Sequence, residues 1–330
     1  MSTSTAPRSR APLMRGGTVI FLLILTLGVL IAIPFNTRLN NAASFATGAT
    51  VFAGVFIQAV PFLVLGTVVS GAINAWVTPA MIARILPKNP VASVGVGSVA
   101  GALLPGCECA SVPVSARLMD RGVPQAAALA FLLSAPAINP VVLVSTAVAF
   151  PGEAKMVAAR FVASLLTAMV MGGLWARFGD PSVLIRRHVA DDKARGWGGF
   201  VDSMRHDFLQ SAAYLSMGGV FVAILNVAVP GKVLDSLGGN IVVGIALMAV
   251  LAVILAVCSE ADAFIAAGMA SLPLIPRLVF MVVGPVVDLK LIAMQAGEFG
   301  HRFAARFSAT TFVVAVVVAT GVGALILGWR

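Results

Sequence analysis

Long apolar runs, cut by short charged or proline-rich interruptions, dominate the chain. Thr18–Pro34, Ala49–Trp76, Val91–Val123, Pro124–Phe150, Val157–Ala176, Phe208–Val229, Ile241–Cys258, Leu278–Ala296 and Phe307–Leu327 are such runs. Runs of this length predict helices that cross a bilayer. Met1–Gly17 is polar and carries Arg8, Arg10 and Arg15. A signal peptide competes with a first span there. No small-x-small cleavage pattern follows Ile33-Pro34-Phe35, so Thr18–Pro34 reads as an uncleaved span. Arg177–Asp207 is the one long polar stretch and reads as a solvated connector, with partner docking as the alternative.

Two interruptions fall inside apolar sequence. Pro105 and Gly106 break the run that starts at Val91, and Cys107-Glu108-Cys109 follows at once. Proline lacks the N–H and clashes one turn back. Non-helical backbone at membrane depth is tolerated only where it lines a cavity or is buried in protein. A carboxylate there marks a functional position by default. Ser134-Ala-Pro136-Ala-Ile-Asn139-Pro140 breaks the next run and leaves an amide inside it.

The chain also repeats itself. Gln58, Gly66 and Asn74 recur 152 residues later as Gln210, Gly218 and Asn226. Cys109, Pro124, Phe131, Pro136 and Asn139 recur 149 residues later at Cys258, Pro273, Phe280, Pro285 and Asp288. Rare residues matching in order point to an internal duplication.

Charge placement sets the topology. Nine full spans would put the Arg177–Asp207 stretch outside, against the rule that cytoplasmic loops carry the Lys and Arg. If Val91–Val123 and Ile241–Leu274 are re-entrant hairpins, Arg84, Lys88, Arg117, Arg121, Arg187, Arg302 and Arg306 join the N-terminal arginines inside. Arg38, Lys155, Arg160, Lys232, Arg277 and Arg330 then fall outside, and Lys290 lies within a span. The two halves come out inverted, with their broken elements meeting near the midplane. Ile241–Cys258 resists this reading: its length, about 27 Å as a helix, is enough to cross. The expected fold is an all-α polytopic membrane protein of two inverted repeats with broken or re-entrant helices and seven to nine transmembrane segments.

Composition agrees. The 330 residues are 59% hydrophobic and 11% charged, which excludes an ordinary soluble domain. The net charge of +9 is spread over short loops as topology signal, so no nucleic-acid partner is expected. An odd cysteine count argues against a disulfide framework. His188, His206 and His301 fall in polar loops, far from the thiols in sequence, so no histidine–cysteine metal site is expected.

PGCECASVPVSARLMDRGVPQAAALAFLLSAPAINPVVL resembles the signature of the ArsP-type predicted permeases. The resemblance is strong over this segment and extends elsewhere by hydropathy. It implies a permease of the plasma membrane rather than an enzyme, without a cofactor. It also implies efflux of trivalent organoarsenicals or other thiol-reactive metal or metalloid compounds. Residues 1–330 then form one permease domain: 1–48 as N-terminal tail, first span and loop, 49–176 as the first repeat, 177–207 as a cytoplasmic loop, and 208–330 as the second repeat. The partners expected are the substrate and the lipid bilayer, with a homo-oligomer left open.

The candidate substrate groups are Cys107, Cys109, Asn139, Cys258 and Asp288, with Cys107 and Cys109 as soft-metal ligands. Thiolates suit monovalent copper, zinc and, by the same logic, trivalent arsenic. The bland alternative is that the cysteines are small buried hydrophobes. Glu108, Glu260 and Asp262 are the proton-coupling candidates, because a buried carboxyl group can carry a proton. The alternatives to these roles are Glu260 and Asp262 as helix caps, Asn139 as a splint for freed carbonyls, and Asp288 as a partner of Lys290. Two residues apart on a regular helix, Asp288 and Lys290 would not face each other. The other classes considered are a permease for another solute or metal ion with a soluble partner, a thiol oxidoreductase using the CxC pair, and the membrane subunit of an ATP-driven pump. No P-loop pattern is present, so ATP use would need another polypeptide.

Overall fold

The computed structural model describes residues 43–78, 81, 84, 87, 89–104, 108–179, 196–228, 241–269 and 272–328. The expected first span Thr18–Pro34, Cys107, His188 and Arg187 lie outside these. Two compact units divide the chain, residues 1–46 and 47–330, and the second holds the helical bundle. Among the described residues there are twelve α-helices and no strand. They are α1 (Ala43–Trp76), α2 (Pro90–Ala100), α3 (Glu108–Asp120), α4 (Gln125–Ile138), α5 (Pro140–Ala149) and α6 (Ala154–Phe178). Then come α7 (Trp197–Ala228), α8 (Ile241–Leu255), α9 (Asp262–Gly268), α10 (Leu274–Val283), α11 (Leu289–Phe299) and α12 (His301–Ile326). The chain is an all-α polytopic membrane protein.

Helices α4 and α5 together form one apolar span, Gln125–Ala149; its 18-residue apolar stretch is 78% buried, against 27% for that in Phe52–Trp76 of α1 and 28% for that in α12. The broken span is therefore central, and the unbroken ones give their apolar faces to lipid. Val313 and Val317 of α12 are exposed in this way, as are Val144 and Val148 in the α5 part of the broken span. In lipid such faces carry no penalty, and association relies on close packing instead. Gly97 and Gly101 supply it: a Cβ on Gly97 would run into the Ala127 backbone, and one on Gly101 into Ser134 and Ala135. Gly101→Val is therefore expected to destabilise the folded protein by about 1–3 kcal/mol through overpacking. Thermal unfolding of the purified variant in detergent checks this.

Both hairpins are re-entrant. Val94 near the start of α2 packs on Ala126 and Ala130 of α4, and Gly172 near the end of α6 faces all three. Helix α3 returns to that same end, where Arg121 binds Asn74 at the end of α1. In the second hairpin, Gly244 of α8 faces Pro276 of α10, and Gly323 near the end of α12 faces Ile275 and Leu278. Helix α12 starts at the other end of the bundle, where Phe303 and Phe307 meet Trp175 of α6 edge to face. The two hairpins thus enter from opposite ends. Arg117, Arg121, Arg177, Arg302 and Arg306 share the end used by the first hairpin, the end that the positive-inside rule reads as cytoplasmic.

The 18-residue apolar run from Ile241, whose length resisted the hairpin reading, does not continue as one helix: α8 stops at Leu255, about 22 Å long, and Ala256 turns the chain with φ 47°. Two details differ from the sequence reading. The polar connector ends early, because α7 already begins at Trp197. His206 and His301 lie in helices α7 and α12 rather than in loops.

Candidate transport site

Each broken span is splinted by the side chain at its break. Asn139 has extended backbone (φ −66°, ψ 155°) before Pro140, which cannot continue the previous helix. Its Oδ1 accepts from the Val142 N–H at 3.0 Å, capping α5, and its Nδ2 donates to the Ala135 carbonyl at 3.1 Å, closing α4. Asp288, at the equivalent break between α10 and α11, is also extended (φ −139°, ψ 169°). Its Oδ1 accepts from the Leu291 N–H at 2.6 Å and caps α11. A side-chain cap supplies a partner for one of the helix's four orphan donors. The start of α11 is thereby fixed, and with it the position of Lys290.

Lys290 is the centre of the site. It is fully buried, and its Nζ lies 2.7 Å from Glu108 Oε1, at the start of α3. The same nitrogen lies 3.5 Å from Asp288 Oδ2 and 3.9 Å from Cys258 Sγ. Asp288 and Lys290 do meet, contrary to the helix-spacing argument, because Asp288 precedes the helix on extended backbone. Glu108 and Cys109 come from the first hairpin, Lys290 and Asp288 from the second broken span, and Cys258 from the turn of the second hairpin. Glu108 Oε2 and Asp288 Oδ2 have no hydrogen-bond partner among the described residues. Cys109 and Cys258 are buried thiols outside any disulfide. Among the described residues no three His, Cys, Asp or Glu groups stand close enough to hold a metal ion.

The family profile of the predicted permeases matches residues 44–323, so it covers every element of this site. The chain belongs to that ArsP-type predicted permease family. A Streptococcus mutans protein described as a two-component membrane permease complex subunit is 31% identical over 83% of this chain and 94% of its own length. The UPF0718 protein YcgR of Bacillus subtilis is 35% identical over 84% of this chain and 96% of its own. The UPF0718 protein MJ0584 of Methanocaldococcus jannaschii is 28% identical over 40% of this chain and 36% of its own. No solved structure matches. The chain is thus a multi-pass membrane transporter.

In this permease a second charged group stands apart from Lys290. Arg160, which charge counting placed outside the membrane, is fully buried on the second turn of α6. Its guanidinium donates to Asp262 Oδ2 at 2.7 Å, to the Ser259 carbonyl at 3.1 Å and to Thr146 Oγ1 at 2.8 Å. Asp262 sits in the first turn of α9, where it serves Arg160, and no side chain caps that helix. Glu260 is partly exposed, and neither of its carboxylate oxygens has a hydrogen-bond partner among the described residues.

Sequence reasoning put Arg160 outside and weighed Lys290 only as a partner of Asp288, so it missed both cross-half pairs. Arg160 and Lys290 each lie inside an apolar run, and that was the signal to use: a cation at membrane depth needs a carboxylate partner. At the cytoplasmic end, Gln210 Nε2 donates to Glu298 Oε2 at 3.0 Å and joins α7 to α11. The Gln58 side chain lies outside the description.

Proposed function

We propose that this permease is a secondary, proton-coupled exporter of trivalent organoarsenicals or other thiol-reactive metal or metalloid compounds. The observation that carries the reading is the buried Glu108–Lys290 pair with Cys258 Sγ 3.9 Å from the same ammonium. An ammonium beside a thiol can balance a thiolate, the form that binds soft centres. A trivalent metalloid hydroxide meets the thiol by exchange. The sulfur–metalloid bond forms, the metalloid–oxygen bond breaks, and the thiol proton leaves with the hydroxide as water. Release on the far side reverses these steps. Cys109, Cys258 and Cys107 supply the soft ligands, and Asn139 and Asp288 shape the cavity by holding both broken helices. Glu108 and Glu260 carry the proton, Glu108 by alternating between its salt bridge and a protonated form that frees Lys290.

The reading also takes the two halves as an inverted duplication, residues 49–176 and 208–330. It is supported by the paired caps Asn139 and Asp288 and by hairpins that enter from opposite ends.

Cells with and without the gene, grown on a panel of arsenicals, antimonials and divalent metals, test the proposal. Protection is expected against trivalent, thiol-binding compounds and not against pentavalent oxyanions. Everted vesicles should accumulate the protected compound only when a proton gradient is imposed. Protection against pentavalent oxyanions alone would end the thiol reading.

A second reading follows from the Streptococcus mutans relative, whose description makes it one subunit of two. Here the permease moves another small solute or metal ion and needs a partner polypeptide. Under that reading the purified chain alone is inactive in proteoliposomes.

A further inference from the structure

Three buried ion pairs join the first half of the bundle to the second. Arg117 of α3 pairs with Asp207 of α7, Glu108 of α3 with Lys290 of α11, and Arg160 of α6 with Asp262 of α9. They are not at one level. Arg117 lies nine residues along α3 from Glu108, about 13 Å nearer the cytoplasmic end. Arg160 lies on the second turn of α6, at the opposite end of that helix from Trp175, and so on the outer side.

The two flanking pairs share a design. In each, one partner sits on the returning helix of a hairpin: Arg117 on α3, Asp262 on α9. The other partner sits on a long helix of the opposite half and also bonds a hydroxyl group of the first half, Ser70 of α1 or Thr146 of α5. Asp207 receives Arg117 Nε at 3.0 Å and Nη2 at 2.5 Å, and its Oδ2 accepts from Ser70 Oγ at 2.5 Å. Arg160 is anchored by Thr146 Oγ1 at 2.8 Å and receives Asp262 at 2.7 Å. Between these pairs Cys109 is 0% and Cys258 1% exposed, so the centre is closed from both ends.

We propose that Arg117–Asp207 is the inner gate of the permease and Arg160–Asp262 the outer gate, and that they break in turn. A transporter must expose its central site to one side at a time. A buried ion pair suits this task, because separating it is favourable only if water reaches both charges together. Each gate is therefore either dry and closed or wet and open. The hairpins are the moving parts, and the hydroxyl-anchored residues are the posts against which they close. The inference rests on the chain being a transporter and not on which solute it carries.

The buried thiols report on the gates. In a Cys107→Ser background, Cys109 and Cys258 are labelled with a charged, membrane-impermeant maleimide in right-side-out and everted vesicles. With both gates intact, labelling is slow from either face. Arg117→Gln or Asp207→Asn should raise the rate about tenfold or more from the cytoplasmic face alone. Arg160→Gln or Asp262→Asn should do the same from the outer face alone. The exchanged pair Arg117→Asp with Asp207→Arg should return cytoplasmic labelling toward the slow rate. Equal acceleration from both faces, as loss of fold would give, overturns the assignment. So does unchanged labelling in all four single variants.

Discussion

Lys290→Met is expected to abolish transport and to destabilise the folded protein by about 3–5 kcal/mol, because a buried charge loses its partner. The substitution leaves Glu108 and Asp288 facing each other at membrane depth, where Lys290 Nζ stood 2.7 Å from one and 3.5 Å from the other. Removing the second charge should relieve most of that loss. Glu108→Gln with Lys290→Met is expected to recover thermal stability in detergent, since replacing a buried pair by neutral groups of similar size is often nearly neutral. Transport should stay absent in the double variant, because the Glu108 carboxyl proposed to exchange the proton is gone and the remaining Asp288 is engaged in capping α11. Lys290→Arg is a stricter test of shape. The guanidinium is planar and larger than an ammonium, and Lys290 is 0% exposed. Arginine is expected to keep part of the stability and little transport. If Lys290→Met melts like the wild type and still transports, the ion pair is not the organising centre of the site.

That centre was half legible in the sequence. The breaks were plain: Pro105-Gly106 and Asn139-Pro140 mark places where a helix must stop, and the carboxylate and thiols beside them stand out in apolar surroundings. The pairing of Asn139 with Asp288 was visible as a constant spacing, and the structure gives both the same work, capping the helix that restarts after a break. The partners were hidden, for a physical reason. Glu108 and Lys290 are 182 positions apart, and Arg160 and Asp262 are 102 apart. Periodicity reports which face of one helix is buried, and it is silent on which helix lies opposite. Arg160 was misplaced for a related reason. It lies close enough to the start of α6 to look like a loop charge, and only packing against α9 and Thr146 of α5 shows it to be internal.

The Ile241 run was ambiguous for another reason. Its length was sufficient to cross, but length is only an upper bound on a helix. Ala256, in the left-handed region, ends α8, and the chain then turns back through Cys258, Ser259 and Glu260 to Asp262. An alanine there is uncommon, since a Cβ disfavours positive φ by about 1–2 kcal/mol. Propensity argues for continued helix at that position, and the tertiary structure overrides it.

Replacing the thiols is the second large effect expected. Cys109→Ser and Cys258→Ser should each weaken export of a thiol-binding substrate, and the double variant should abolish it. Serine is nearly isosteric with cysteine, so packing around these buried positions changes little. At position 258 the hydroxyl can still accept from Lys290, which now donates to the sulfur at 3.9 Å. The fold and the Glu108–Lys290 pair should therefore persist, and thermal stability should fall by less than about 1.5 kcal/mol. Soft-ligand binding has no such substitute. A hydroxyl group does not ionise near neutral pH and has low affinity for trivalent arsenic or monovalent copper, so binding should fall by far more than about tenfold. Cys107→Ser, made alone and with the other two, separates the soft ligands from one another. Uptake into everted vesicles, set beside expression level and melting temperature, reads both halves of the expectation. A double serine variant that folds, reaches the membrane and still confers full resistance to every compound the wild type handles would exclude the thiols from transport. The site would then be read through its charges and broken-helix ends, which suit an oxyanion or a polar organic solute.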